Sequence, residues 1–140
     1  MEEYTHSVQY YETDKMGIVH HSNHVRWMEE ARVDYLKQLG FPYERLEAMG
    51  VFSPVVAVEC RYKASATFPD AVRIAVSVES FNGLRLRLRY EMRNGDRPVA
   101  VGSSEHCFLD EDGKLLRLKR DCPALYERLA ALAPADQMRP

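Results

Sequence analysis

From Val56 onward the chain alternates between apolar and polar residues. Val56, Val58, Cys60, Tyr62, Ala64, Ala66 and Phe68 fall on one face of an extended segment, and Glu59, Arg61, Lys63, Ser65 and Thr67 on the other. Val72, Ile74, Val76 and Val78 repeat the pattern. Asn82-Gly83 follows, a dipeptide suited to a tight hairpin. Leu84, Leu86, Leu88, Tyr90 and Met92 then alternate with Arg85, Arg87, Arg89, Glu91 and Arg93. After a turn at "NGDR", another strand is expected from Val99 to Leu109, and "KLLRLKR" is read as a short further stretch of strand.

The first fifty residues have a different period. Residues 4 to 10 are short and β-prone, and a loop from Asp14 to Ser22 turns at Gly17. From about Asn23 to Leu39 the residues Val25, Met28, Ala31, Tyr35, Leu36 and Leu39 recur at helical spacing, with Ser22 or Asn23 as the expected N-cap. Gly40 and Pro42 end that helix. "YERLEAMG" reads as a short second helix, and Asp121 as the cap of a last helix from Pro123 to about Leu132. One long apolar helix against a mostly antiparallel sheet, apolar on one face, gives an α+β fold in which the sheet curls around the helix.

Length and composition narrow the class. With 140 residues, 46% apolar and 29% charged, the chain fits one folded domain, taken as residues 1–133 with a loose tail at 134–140. A net charge of -2 of mixed sign requires neither nucleic acid nor a membrane surface. No apolar run is long enough to span a bilayer, and the acidic start lacks the form of a secretory signal. The three cysteines Cys60, Cys107 and Cys122 are far apart and odd in number, which suits reduced thiols in the cytoplasm.

The richest stretch chemically is "DKMGIVHHSNH", Asp14 to His24. His20 and His24 have the spacing of a helical zinc motif, but the expected helix start leaves His20 outside the helix, and no third ligand is identifiable, so no metal is assigned. His106 and Cys107 are neighbours on a strand and point to opposite faces, which excludes a dyad between them. Arg85, Arg87 and Arg89 form a basic stripe without interleaved aromatics, read as a solvated or subunit-facing surface. Asp14 precedes a glycine turn that feeds a helix N-terminus. An acid beside free helix-terminal N–H groups suits attack on a carbonyl, with the amides holding the oxyanion. An Asp in such a place is also an ordinary turn residue.

The segment "YYETDKMGIVHHSNHVRWMEEARVDYL" resembles the hot-dog-fold acyl-CoA thioesterases of the 4-hydroxybenzoyl-CoA thioesterase type, and looks closest to the bacterial branch associated with the Tol-Pal envelope system. Thr13, Asp14, Gly17, Ile18, Val19, His20, His21, Asn23, Trp27, Glu30, Ala31 and Arg32 carry the likeness, which extends over roughly residues 4 to 120. The resemblance implies hydrolysis of acyl-CoA to free acid and coenzyme A. Asp14 takes the place of the catalytic nucleophile or base, and His21 supplies the backbone N–H that polarises the thioester carbonyl. Tyr10 lies beside them, and Asn23 sets the start of the helix. Gly17 and Val19 belong to the substrate-binding loop. His20 and His24 stand where related chains carry aromatic residues. The alternative helix glutamates, Glu29 and Glu30, fit the family pattern less well than Asp14. No cofactor beyond the coenzyme A of the substrate is implied. Arg61 and Lys63 are the choices for its phosphates. A homodimer or homotetramer is expected, with acyl carrier protein as a further candidate partner. A non-hydrolytic acyl-binding module on the same fold, or a purely structural oligomer, would be the other classes.

Overall fold

The computed structural model describes residues 1–134, so all but the first residue of the expected tail lies outside the described residues. Five strands form one antiparallel sheet in the order β1-β3-β4-β5-β2. They are β1 Tyr4–Ser7, β2 Val55–Tyr62, β3 Ala71–Phe81, β4 Leu86–Asn94 and β5 Arg97–His106. Helix α1, Ser22–Gln38, packs on the sheet, and α2, Tyr43–Ala48, follows it. A single turn α3, Leu118–Asp121, leads into α4, Pro123–Leu132. The expected α+β arrangement of a long helix on an antiparallel sheet is what forms.

Helical spacing puts Trp27, Met28, Ala31, Tyr35 and Leu36 on the buried face of α1. They meet the apolar faces of β3 and β4, where Val72, Ile74, Leu86, Leu88, Tyr90 and Met92 are buried. Gly102 on β5 leaves room for this packing. A Cβ there would lie 2.6 Å from Met28 Sδ and 2.9 Å from the Glu59 carbonyl oxygen. The outer face carries the arginine stripe, neutralised within the chain: Arg85 pairs with Glu105, Arg87 with Glu79 and Glu59, and Arg89 with Glu91.

Four local expectations change. The first strand stops at Ser7, because the Glu12 carboxylate takes the Gln9 amide at 2.8 Å and winds Tyr10–Glu12 into a 3-10 turn. The strand expected to run to Phe68 ends at Tyr62, and β2 is an edge strand, so its alternating valines are exposed rather than buried. "KLLRLKR" keeps only an isolated bridge, Leu109 to Leu115, before turning helical. Asp121 does not cap α4. Its carboxylate accepts the Arg117 amide at 2.8 Å and closes α3, leaving Cys122 in the cap position of α4.

Candidate active site

The Asp14 loop is clamped at both ends by Glu12. Burying a carboxylate requires hydrogen-bond donors, and Glu12 has three: Trp27 Nε1 at 2.8 Å, His6 Nε2 at 2.8 Å and the Gln9 amide. Burial pushes the Glu12 carboxyl up, but these donors outweigh it and hold the group below its usual range. His6 stacks on Trp27 and also pairs with Glu30 at 2.9 Å. The Glu12 carbonyl accepts the His20 amide at 2.8 Å and Asn23 Nδ2 at 3.0 Å. The loop therefore leaves and returns at one residue.

Inside that clamp the chain folds back on itself. Asp14 N donates to Ile18 O at 2.8 Å, Gly17 N donates to Asp14 O at 2.9 Å, and Gly17 takes φ +79°, a conformation glycine supplies without strain. The Met16 amide donates to Asp14 Oδ1 at 2.8 Å. One carboxylate oxygen is thus held in a turn, while no hydrogen bond of the described residues uses Oδ2. The loop docks on the segment after β2 through Val19 N to Ala66 O at 2.8 Å and Thr67 Oγ1 to Gly17 O at 2.7 Å.

Helix α1 begins at Ser22, so the cap position falls on His21 rather than on the expected Ser22 or Asn23, and no side chain caps it. Ser22 turns to the His20 ring, whose Nδ1 lies 2.8 Å from Ser22 Oγ, and the Asn23 amide is spent on the Glu12 and His20 carbonyls. The neighbouring amides are occupied: His20 N by Glu12 O, Ser22 N by His20 Nδ1, and Asn23 N by His20 O. The His21 amide has no acceptor among the described residues. The His21 carbonyl accepts Tyr62 Oη–H at 2.8 Å.

Asp14, Val19, His21, His24, Tyr62 and Lys63 line one groove of about 390 Å³, together with Met16, Ile18 and residues 64–66. His24 is buried between Trp27 and Tyr62, its ring meeting Tyr62 edge-on at 4.8 Å. Burial lowers its pKa and so favours the neutral ring. Of the residues the sequence singled out, the fold brings Asp14, Val19, His21 and Lys63 to this groove. Gly17 shapes the turn behind it and Asn23 is buried beneath it. Tyr10 is 77% exposed, stands edge-on to Phe68 at 5.9 Å and does not line the groove. Arg61 pairs with Glu59 in a different cavity, on the outer face of the sheet. Lys63 also borders a second cavity of about 640 Å³, lined as well by Arg93 and Arg97. Among the described residues no three His, Cys, Asp or Glu side chains are placed to hold a metal ion. No helix among them is long and apolar enough to cross a membrane. Tyr62 was missed by sequence reasoning, since its partner lies 41 residues away and no local pattern marks it.

An acid and a helix-terminal amide without an acceptor among the described residues thus face one groove of this fold. The sequence profile of the thioesterase-like superfamily matches residues 8–138, and the chain belongs to that superfamily, a hot-dog-fold thioester hydrolase. It is similar to the DHNA-CoA thioesterase of Staphylococcus aureus, with 36% identity and a TM-score of 0.88 over 93% of this chain and 89% of that one. It is 28% identical to the 1,4-dihydroxy-2-naphthoyl-CoA hydrolase of Thermosynechococcus vestitus, covering 78% of this chain and 76% of that protein. It is 29% identical to the acyl-CoA thioester hydrolase YbgC of Escherichia coli, over 66% of this chain and 69% of that one.

Proposed function

We propose that the protein hydrolyses acyl-CoA thioesters in the groove between Asp14 and His21. The observation that carries this is the pairing of a half-buried acid, one oxygen held and the other unused, with a free amide at the start of a 17-residue helix. The thioester oxygen takes the His21 N–H, where the helix dipole favours the charge that develops. Asp14 Oδ2 either removes a proton from water, whose oxygen then adds to the carbonyl carbon, or adds itself and is released by water in a second step. In both routes the C–S bond breaks, and the thiolate leaves and takes up a proton. The groove's side chains need no metal for these steps. Lys63 on the shared wall leads toward Arg97 and toward Arg93, which pairs with Glu3; with Glu91 also in the lining, the surface keeps a net positive charge suited to the phosphates of coenzyme A. The names of the relatives, YbgC among them, support the acyl-CoA class, and the "TDKMGIVHH" motif supports the 4-hydroxybenzoyl-CoA type and its Tol-Pal-associated branch.

Thiol release is the deciding measurement, on chelator-treated protein and across short, long and aromatic acyl-CoA substrates. Asp14→Asn is expected to lower turnover by about a thousandfold while leaving the fold intact, the scale of losing a positioned acid or base. Near-normal turnover in that variant would remove Asp14 from the chemistry, and activity restored only by zinc would bring the metal back. Tight acyl-CoA binding without thiol release would instead mark an acyl-binding module.

A further inference from the structure

The end of β2 and the segment that follows it hold both halves of the proposed chemistry. They grip the acid's loop twice, through Ala66 O and Thr67 Oγ1, and the helix start once, through Tyr62 Oη. Asp14 and His21 are therefore both measured against one short piece of chain. The first two contacts hold the loop backbone at Val19 and Gly17, on the Asp14 side. On the His21 side the hydroxyl of Tyr62 is the only hydrogen bond from this piece of chain among the described residues. The Tyr62 ring itself lines the groove and stands edge-on to both His21, at 6.4 Å, and His24, at 4.8 Å.

We infer that Tyr62 is a positioning residue, whose hydroxyl fixes the first turn of α1 relative to the Asp14 loop so that the oxyanion donor and the acid address the same carbonyl. This rests on the reading given under Proposed function. The hydroxyl donates to the His21 carbonyl and so restrains rotation about the residue whose amide would hold the oxyanion. The ring supplies apolar wall, and the hydroxyl supplies registry; Tyr62→Phe separates the two. Misplacement of a donor relative to a reacting carbonyl is felt in the transition state more than in substrate binding.

Tyr62→Phe is expected to lower kcat about tenfold, the scale of one lost hydrogen bond, with KM within about twofold and a melting temperature lowered by no more than about five degrees. A further change, Tyr62→Leu, which also removes the ring, is expected to raise KM in addition. A Tyr62→Phe enzyme with the parent's kcat, or one in which KM alone rises, would overturn the inference and leave Tyr62 as groove wall. The Asp14→Asn variant run alongside separates the two failures. If it is inactive while Tyr62→Phe is unaffected, only the positioning role falls; if it is fully active, the reading of the site falls with it.

Discussion

Beneath α1 lies a polar chain that the catalytic reading does not use. Tyr90 Oη, Ser104 Oγ and His106 Nε2 are linked at 2.6 and 2.7 Å, and His106 is fully buried. Burial, reinforced by the Arg32 charge, lowers the His106 pKa to about 4, and burial pushes that of Tyr90 up to about 12. Unfolded, His106 titrates near its ordinary value of about 6.5. Between those two values the unfolded chain binds a proton that the folded chain refuses, so folding stability falls as pH drops. The full stability is present above about pH 6.5, and up to about 3 kcal/mol is lost on approaching pH 4. His24, also lowered by burial, adds to the same trend. Melting temperature measured from pH 7 to pH 5, above the range where carboxylates titrate, is expected to fall in the parent and to fall less in His106→Gln. Equal slopes would show that His106 does not drive it.

At the scale of elements, the close approach of α1 to the sheet depends on Gly102. In Gly102→Ala the flexible end of Met28 can turn aside, but the Glu59 carbonyl is backbone and cannot. A loss of about 1–3 kcal/mol in unfolding free energy is expected by denaturant titration, the range for an overfilled core. A change below about 0.5 kcal/mol would mean that β2 and β5 yield freely. The same elements show what the sequence made readable. The alternation of β4 was legible because α1 covers one of its faces and the arginines occupy the other. The equally regular alternation of β2 misled, since burial follows position in the sheet and β2 lies at its edge. Leu116 and Leu118 alternate as in a strand, yet the Asp121 carboxylate on the Arg117 amide turns that segment helical. In the site, Asp14 and His21 were readable because a short motif carries them. Tyr62, Ala66 and Thr67 were not, because their partners lie 41 to 50 residues away in the sequence.

For the whole molecule, the exposed edge matters most. β2 presents Val55, Val56, Val58 and Tyr62 with about half of each side chain's surface open, beside Phe52. An open strand edge that is also apolar is a template for pairing with a second strand. A second copy joined along β2 would bring its own residues close to Tyr62 and the groove; the family resemblance implies a homodimer or homotetramer but does not fix the face that joins. The double change Val56→Lys and Val58→Lys places charge along that edge. Light scattering on size-exclusion chromatography is expected to show the parent as a dimer or tetramer and the double variant as monomer with reduced turnover. A monomeric parent with full activity would confine the site to one chain.

The clamp at Glu12 has a further consequence, for how such a site can change over time. The loop's ends are fixed by backbone atoms and by a carboxylate locked to Trp27 and His6, whereas Lys15 and Met16 at its tip are exposed. Met16 borders the groove through its side chain and holds Asp14 through its amide, which any residue except proline provides. The frame and the tip are thus separable: the side chain at position 16 can drift, and with it the surface bordering the groove, while Asp14 keeps its place. With Asp14 as the acid proposed above, a loop built this way would let substrate preference diverge among descendants without moving the acid.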